Sequence, residues 1–548
     1  MECVDASKHQ SLYLRFHSIS KLPFVDPRFY SFDQKFVIIV FAPPNLRNLE
    51  YFTVRPILLQ STYLAHETEP YTKSIQFLHN GDDGLDHLSM LSETVLDKIN
   101  ACSKTRVQFR ALNFGKSARK SRVISNALLE TIGIIISVLV RTITYLDTEI
   151  FGKKLVQRST WCRQLDIRLR QVSFFPFQYL SYYDTSFLRP NIRQQLGIPM
   201  SNERYNINNS NYINLYNTLW LMINDILIGC TIYRVVSESL TERMNMFNNT
   251  LLAMCFTKLN SFITWIGCDY PGGLKLNNDL GQFMELLFLW TSQLCGDVFK
   301  SLIESDSWFN YTIKLWFQAS CYLGVSFVTA FFIDYIKIVN IHVYLFSLGA
   351  TKIYHRQVEM LKSLMQLFRG RKYNILRNRI DKIEEDQLRI DQLLLGTFIF
   401  LVLIYLLPTT FAFYFLFYAS RVAVMTCLKL GEKVILCLNL YPLFVVLLKL
   451  KNSRRLQGGI HFTHKGHYET TDWLFMENKA LTFDEIFGNF VHVFRQEGRL
   501  ERLLLNFAEG LDLQVKDTSC EKFQYLMLPK NHTSLVEVWG KAANSKGR

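Results

Sequence analysis

Long apolar runs alternating with short basic stretches constrain this 548-residue chain more than any other feature of its sequence. Runs of that length and number do not fit one water-soluble core, and their regular separation by polar stretches suits a chain that crosses a bilayer repeatedly. Hydrophobic residues make up 49% of the chain, 43 of them phenylalanine, although 20% of it is charged. A crossing needs about 20 mostly apolar residues. Six stretches are read as membrane segments. They are Val123–Leu146, containing Glu130 and Arg141; Leu215–Val236, containing Asn224 and Asp225; and the short Phe283–Leu294, which spans only with its flanks or is re-entrant. Next come Trp316–Phe346, with Asp334 and Lys337, then Leu393–Phe417, with a kink expected at Pro408, and Val434–Leu448, set apart by Gly431.

The fold class expected is therefore an all-α polytopic membrane protein of about six segments (five if the third is re-entrant). A small α+β cytosolic region is expected over 1–120, the membrane domain over 121–455, and a soluble helical tail over 456–548. In the first region, Phe36–Ala42 reads as a buried strand, Tyr51–Leu59 as an edge strand interrupted by Pro56, and Leu88–Ile99 as a helix. In the tail, Thr482–Leu505 reads as amphipathic helix, with Phe483, Ile486, Phe487, Phe490, Val491 and Phe494 on one face.

The net charge of +14 admits nucleic acid, a membrane surface or an anionic ligand as partner. The basic clusters flank apolar runs and no nucleic-acid reader motif accompanies them, so nucleic acid is excluded. Residues 104–122, 347–391 and 449–455 are the basic stretches, and six spans put all three on the cytosolic side. Residues 151–180 conflict with that arrangement, for they carry Lys153, Lys154, Arg158, Arg163, Arg168 and Arg170 yet fall to the lumen. Two readings remain open: the first segment does not cross fully, or 155–180 is an interfacial helix with Phe174, Phe175 and Phe177 toward lipid. Of the sequons at Asn208, Asn248, Asn310 and Asn531, this arrangement makes Asn208 and Asn310 lumenal.

The 11 cysteines include no C-x-x-C pair and no zinc spacing. Those inside apolar runs, such as Cys321 and Cys437, act as small hydrophobes, and no disulfide framework is expected. The first residues lack the form of a cleaved signal peptide.

Sugar-nucleotide chemistry leaves no mark on the sequence. No two aspartates stand two apart, as a metal-bound diphosphate site commonly wants, and no G-x-G opens a helix. Glutamates eight apart occur (Glu469 and Glu477, Glu477 and Glu485, Glu501 and Glu509), but without α/β alternation around them they read as an acidic tail. His461, His464 and His467 recur every third residue; a polar juxtamembrane loop accounts for them better than a metal site. No catalytic residue, cofactor or metal is expected. Asp225, a charge inside an apolar span, calls for a partner on another span or another subunit, since burying it alone costs about 3 kcal/mol or more.

Two stretches offer contact chemistry. Arg369, Arg371 and Lys372 surround Gly370 in a basic loop whose guanidinium groups can fork onto phosphate oxygens. The plainer reading is an orienting cluster on the cytosolic face; the sharper one is contact with a lipid headgroup or an anionic partner. Pro271, Gly272, Gly273, Lys275 and Asn277 form a turn just before an apolar segment, suited to a re-entrant or subunit-docking loop.

These stretches also carry a resemblance. Trp265–Asn277 (WIGCDYPGGLKLN) running into Phe288-Leu289-Trp290, then Leu367–Asp381 (LFRGRKYNILRNRID), Asp391–Thr397 (DQLLLGT) with Leu407-Pro408-Thr409, and Gly458-Gly459-Ile460 resemble, in the right order, the PIG-Q family. That family is a subunit of the enzyme complex that attaches N-acetylglucosamine to phosphatidylinositol, the first step of GPI-anchor synthesis. The resemblance covers roughly residues 120–465. It implies a non-catalytic scaffold in the endoplasmic reticulum membrane, which assembles a separate glycosyltransferase subunit with small membrane subunits and works on phosphatidylinositol. The alternatives are a transporter or lipid scramblase, and a stand-alone membrane glycosyltransferase.

Overall fold

The computed structural model describes residues 2–6, 10–16, 36–41, 50–52, 100, 126–150, 152–183, 192, 195–197, 207–268, 276–303, 308–374, 379–382, 390–468 and 471–496, and within 522–546 residues 522, 525–526, 528–529 and 531–546. The chain opens with β1 (Glu2–Ala6), β2 (Gln10–Phe16) and β3 (Phe36–Phe41). Helix α1 (Asn126–Leu146) follows, then the miniature hairpin β4 (Glu149–Ile150) and β5 (Lys153–Lys154), α2 (Thr160–Tyr183) and α3 (Ile207–Val236). Next are α4 (Leu240–Leu252), a π-helical turn (Ala253–Thr257), α5 (Lys258–Cys268), α6 (Asn278–Ile303), α7 (Trp308–Leu323), α8 (Val325–Val339) and α9 (Ile341–Phe368). The hairpin β6 (Arg371–Asn374) and β7 (Arg379–Lys382) leads into α10 (Ile390–Leu440), α11 (Leu443–Lys451), β8 (Gln457–Tyr468), β9 (Thr471–Ala480), α12 (Phe483–Gln496) and α13 (Ser534–Lys546).

Helix dominates, as the apolar runs require. Among the described residues, three helical stretches are long and apolar enough to cross a membrane: Leu129–Leu146, Tyr212–Cys268 and Leu393–Leu440. The pair α8 and α9, bent by 51°, qualifies only together. Against the six segments expected, three stretches qualify among the described residues, or four with the bent pair. Trp316–Phe346 breaks into α7, α8 and the start of α9, because Gly324 sits at φ 137° and ψ 163°, a region only glycine occupies readily. Val434–Leu448 is no separate segment: α10 runs through Gly431 to Leu440, and only the nine residues of α11 follow. Phe283–Leu294 lies inside α6, which is not among the helices that qualify. Helix α10 begins at the end of the basic stretch 347–391, and the break at Tyr441–Pro442 and α11 separate its C-terminus from most of the stretch 449–455.

Exposure follows the helical period. On α1, Ile136, Val140 and Ile143 are buried, whereas Ile134, Ile135 and Val138 are more than half exposed. A helix apolar on both faces, with only one against protein, leaves the other for lipid.

Helix α2 overturns the interfacial reading of 155–180. Phe174 and Phe177 are buried and pack with Leu129, Ile136 and Trp539 of α1 and α13. The Phe177 and Trp539 rings meet edge to face at 5.2 Å. Four cations of this segment are paired with carboxylates, and Arg158 is exposed. Arg168 pairs with Asp225, Arg170 with Asp166 and Asp147, Arg163 with Glu432 and Lys154 with Asp147. Charges neutralised in this way do not count as free loop charges in a sidedness argument.

The ends of the chain join. β3 pairs in parallel with β9, in a sheet ordered β1-β2-β3-β9-β8. The expectation of a helical tail is corrected: 457–480 is a β-hairpin, because β-branched and aromatic residues dominate Phe462–Thr463 and Thr471–Phe475, and helix begins only at Phe483. There Thr482 and Glu485 form a reciprocal cap, Thr482 N donating to Glu485 Oε2 at 2.7 Å and Glu485 N to Thr482 Oγ1 at 3.3 Å. The face α12 buries is narrower than expected: Ile486 and Val493 are buried, while Phe483 and Val491 are exposed. Phe36–Phe41 is the strand expected. Leu88–Ile99 and most of Tyr51–Leu59 lie outside the described residues.

Candidate functional site

Three places gather the residues singled out in the sequence. The first is a buried polar cluster around Asp225. Its Oδ2 accepts from Arg168 NH2 at 2.5 Å and from Ser326 Oγ at 2.6 Å, and its Oδ1 accepts from Ser326 N at 2.8 Å. The last bond falls in the first turn of α8, where backbone N–H groups lack helical acceptors, so the carboxylate of α3 caps α8. A Cβ at Gly324 would collide with that same carboxylate, and one at Gly229 with the Cys321 carbonyl. Both glycines are therefore demanded by the close approach of α3 to the α7–α8 break. Asn439 of α10 closes the cluster, accepting from Gln164 Nε2 at 3.0 Å and from Arg168 NH2 at 3.1 Å.

Asp334 repeats the device. It accepts from Ser159 Oγ at 2.6 Å, Thr160 N at 2.8 Å and Trp161 N at 2.9 Å, thereby capping α2, while Lys337 Nζ approaches it at 3.4 Å. Glu130 and Arg141 instead lie exposed on α1.

The second place joins two motifs distant in sequence. Asn277 caps α6, its Oδ1 accepting from Leu280 N at 3.2 Å, and its own N–H donates to Thr409 Oγ1 at 3.0 Å. The end of WIGCDYPGGLKLN thus docks beside Pro408. Proline leaves the Ile404 carbonyl without its helical donor, and Gln357 of α9 bonds α10 on either side of Pro408. Its Nε2 donates to Leu403 O at 2.8 Å, and its Oε1 accepts from Thr410 Oγ1 at 2.5 Å. Pro271, Gly272, Gly273 and Lys275 lie outside the described residues. Glu285 of α6 is buried, and Cys268 Sγ donates to it at 3.2 Å.

The third place is the turn between α9 and α10. The expected basic loop is in fact an antiparallel hairpin, pairing Arg371 with Lys382 and Lys372 with Asp381. Gly370 reverses the chain at φ 64°, donating to Leu367 O at 2.9 Å. Arg369 and Arg371 are exposed. Phe368 packs edge to face on Phe400 at 5.3 Å and lies against Gly396, so LFRGRKYN and DQLLLGT meet.

The histidines of the expected loop lie on β8, where positions 461 and 464 fall on opposite faces of the strand. Among the described residues, no three His, Cys, Asp or Glu are grouped to hold a metal. Asn310 and Asn248 are buried in helices and cannot accept a glycan in the folded chain; Asn531 is exposed. Arg168, Ser326, Asn439 and Gln357 were not singled out as partners from sequence. The available signal was an unpaired Asp225 in one apolar helix and surplus arginines in the next.

Internally paired charges, a long helix that runs through a proline and outward apolar faces define a predominantly helical protein with helices long and apolar enough to cross a membrane. The chain belongs to the family described as N-acetylglucosaminyl transferase component (Gpi1), whose family model matches residues 162–458. It is 36% identical over 300 residues to the N-acetylglucosaminyl-phosphatidylinositol biosynthetic protein gpi1 of Schizosaccharomyces pombe, covering 55% of this chain and 43% of that one. It is 33% identical over 347 residues to the phosphatidylinositol N-acetylglucosaminyltransferase subunit GPI1 of Saccharomyces cerevisiae, covering 61% and 55% respectively. Subunit Q of the human transferase is 32% identical over 199 residues, covering 36% and 25%. The matches span about half, or less, of these relatives' lengths. No solved structure matches the chain.

Proposed function

We propose that the chain is a non-catalytic scaffold subunit of the complex in the endoplasmic reticulum membrane that transfers N-acetylglucosamine from UDP-N-acetylglucosamine to phosphatidylinositol, the first step of GPI-anchor synthesis. The family match over residues 162–458 carries this reading, and the relatives' names supply the reaction. Transfer is assigned to a separate glycosyltransferase subunit, in keeping with a sequence that holds no sugar-nucleotide motif. A soluble catalytic face must be held where the inositol headgroup emerges from the bilayer, and a partner with several membrane helices provides that positioning. The transporter reading loses its motive, since Asp225 and Asp334 already have partners within the chain.

Affinity purification of the tagged chain in mild detergent tests the proposal. Transfer activity is expected with a co-purifying glycosyltransferase and is expected to vanish when that protein is stripped away. Activity of the isolated chain would instead make it the enzyme. Arg369 and Arg371, exposed where α9 turns into β6, are proposed to meet anionic headgroups together with Lys372, each basic residue contributing about 1 kcal/mol near such a surface. Arg369→Gln, Arg371→Gln and Lys372→Gln together should raise the KM for phosphatidylinositol at unchanged complex yield. An unaltered KM removes that role.

A further inference from the structure

Helices α9 and α10 lie antiparallel, and their contacts fix which residues share a level. The Tyr354 and Tyr414 rings stack at 4.6 Å, and Phe368 meets Phe400 at 5.3 Å. Between these two contacts Gln357 bonds Leu403 O and Thr410 Oγ1. Residues 354–368 of α9 therefore run alongside residues 400–414 of α10, within the apolar run Leu393–Phe417 rather than beyond its ends.

The two helices turn opposite kinds of surface outward. On α10, Leu394, Leu395, Phe398, Leu401, Val402 and Tyr405 are exposed. They wrap most of the helix rather than one stripe, the pattern of a helix surrounded by lipid and not of one lying in the interface. On α9, Lys352, Arg356, Glu359 and Lys362 are exposed, and their spacing of four, three and three residues puts them on one face. Glu359 is matched within its own helix, by Arg356 at 3.2 Å and His355 at 3.0 Å. Lys352 and Lys362 have no ion-pair partner among the described residues. Charged side chains level with an apolar run that crosses a bilayer do not face hydrocarbon; they face protein or water. Ile353 and Met360, 45% and 53% exposed, are interleaved with these charges. A mixed face of that kind suits protein better than a water-filled groove, and methionine adapts to a partner's shape.

We propose that this face of α9 seats a membrane helix of another subunit, an apolar helix that presents one carboxylate to Lys352 and one to Lys362, about 15 Å apart along the axis. Charge complementarity selects that occupant. The same face of a second copy would set cations against cations, and lipid tails would leave both ammonium groups bare. The inference rests on the scaffold reading, which supplies membrane subunits to be held, and it assigns to α9 the surface that holds one.

Photocross-linking tests it in the intact complex. p-Benzoylphenylalanine replaces Met360 of the tagged full chain in cells, and the adduct is identified by mass spectrometry after purification. The expected adduct is a peptide of another subunit, apolar and containing Asp or Glu. Lys352→Glu with Lys362→Glu should lower its yield about tenfold, whereas Lys352→Arg with Lys362→Arg should retain it. To separate lost contact from lost fold, Lys362→Cys is labelled with a membrane-impermeant maleimide. It should react about tenfold more slowly in the complex than in the chain stripped of its partners, because a seated helix excludes water. An adduct confined to lipid or to a second copy of this chain, a cross-linked peptide without an acidic residue, charge reversal that leaves the yield unchanged, or equal maleimide rates would overturn the proposal. An eluate with transferase activity but no adduct overturns this surface alone. The expected adduct in an eluate without transferase activity would count against the scaffold reading and not against the surface.

Discussion

Asp225 and Asp334 each give a carboxylate to the first turn of another helix, and each also holds a cation. The arrangement converts an expensive buried charge into a fastening between helices, because the free N–H groups and the positive end of the helix dipole are already in place. Removing one partner of such a pair leaves the other buried and unpaired, at about 3–5 kcal/mol. Asp225→Asn is therefore expected to lower the detergent thermal midpoint markedly. Replacing Arg168 by Met in the same chain should recover part of the loss, and purely additive effects would show that the two do not act as a pair. Gly324→Ala should be comparably harmful, since it strains the backbone and displaces the Asp225 carboxylate.

His532 offers a pH test. Burial, and then the Arg170 guanidinium with Lys154, push its imidazole below the ordinary value of 6.5, against an opposing pull from Asp147. Its folded pKa is thus the lower one, so the unfolded chain binds the proton more readily. The stabilisation is complete above the ordinary value and is lost as pH falls through the depressed one. His532 lies 3.4 Å from Thr144 Oγ1 at the end of α1. Protection of α13 from hydrogen exchange should weaken as pH falls below the ordinary histidine value of 6.5, and in His532→Gln that dependence should flatten. A wild-type profile in the variant would assign the titration elsewhere.

At the scale of elements, the contact of Asn277 with Thr409 governs how the α5–α6 corner sits on α10. Thr409→Val keeps the shape and removes the acceptor, at about 1–3 kcal/mol if the N–H stays buried. Limited proteolysis should then cut within 269–275 faster than in the wild type, and an unchanged rate would show that the corner is held by other contacts. α10 continues past Pro408 as one helix of 51 residues, and Gln357 bonds it at Leu403 and Thr410 on either side. Pro408 was legible in the sequence. The contact from Gln357 was not, because it stands 51 residues away on a helix whose pairing only the fold supplies.

At the scale of the molecule, the chain closes on itself. β3 pairs with β9, and α13 packs on α1, where Trp539 Nε1 donates to Leu129 O at 3.0 Å and its ring touches the position a Cβ on Gly133 would need. Trp539→Ala should cost about 3–5 kcal/mol. It should also loosen α1, detectable as faster labelling by a thiol probe of a cysteine introduced at Ile136. Labelling at the wild-type rate would mean that α13 docks independently of α1.

The apolar runs by themselves determined that this chain is largely helical, with helices long and apolar enough to cross a membrane, because hydrophobicity over about 20 residues is a local property of sequence. The strand at Phe36–Phe41, the proline in α10 and the motif order that marks the family were legible for the same local reason. Tertiary structure decided which helices are continuous, which charges are paired and which apolar faces are left uncovered by protein. Gly431 could separate two spans or pack against Ile333 inside one. The arginines of α2 could mark a membrane side or fasten the interior. Only the long-range placement of Asp225, Glu432 and Asp334 selects between such outcomes, since pairing energy depends on distance and desolvation, which a linear pattern does not contain.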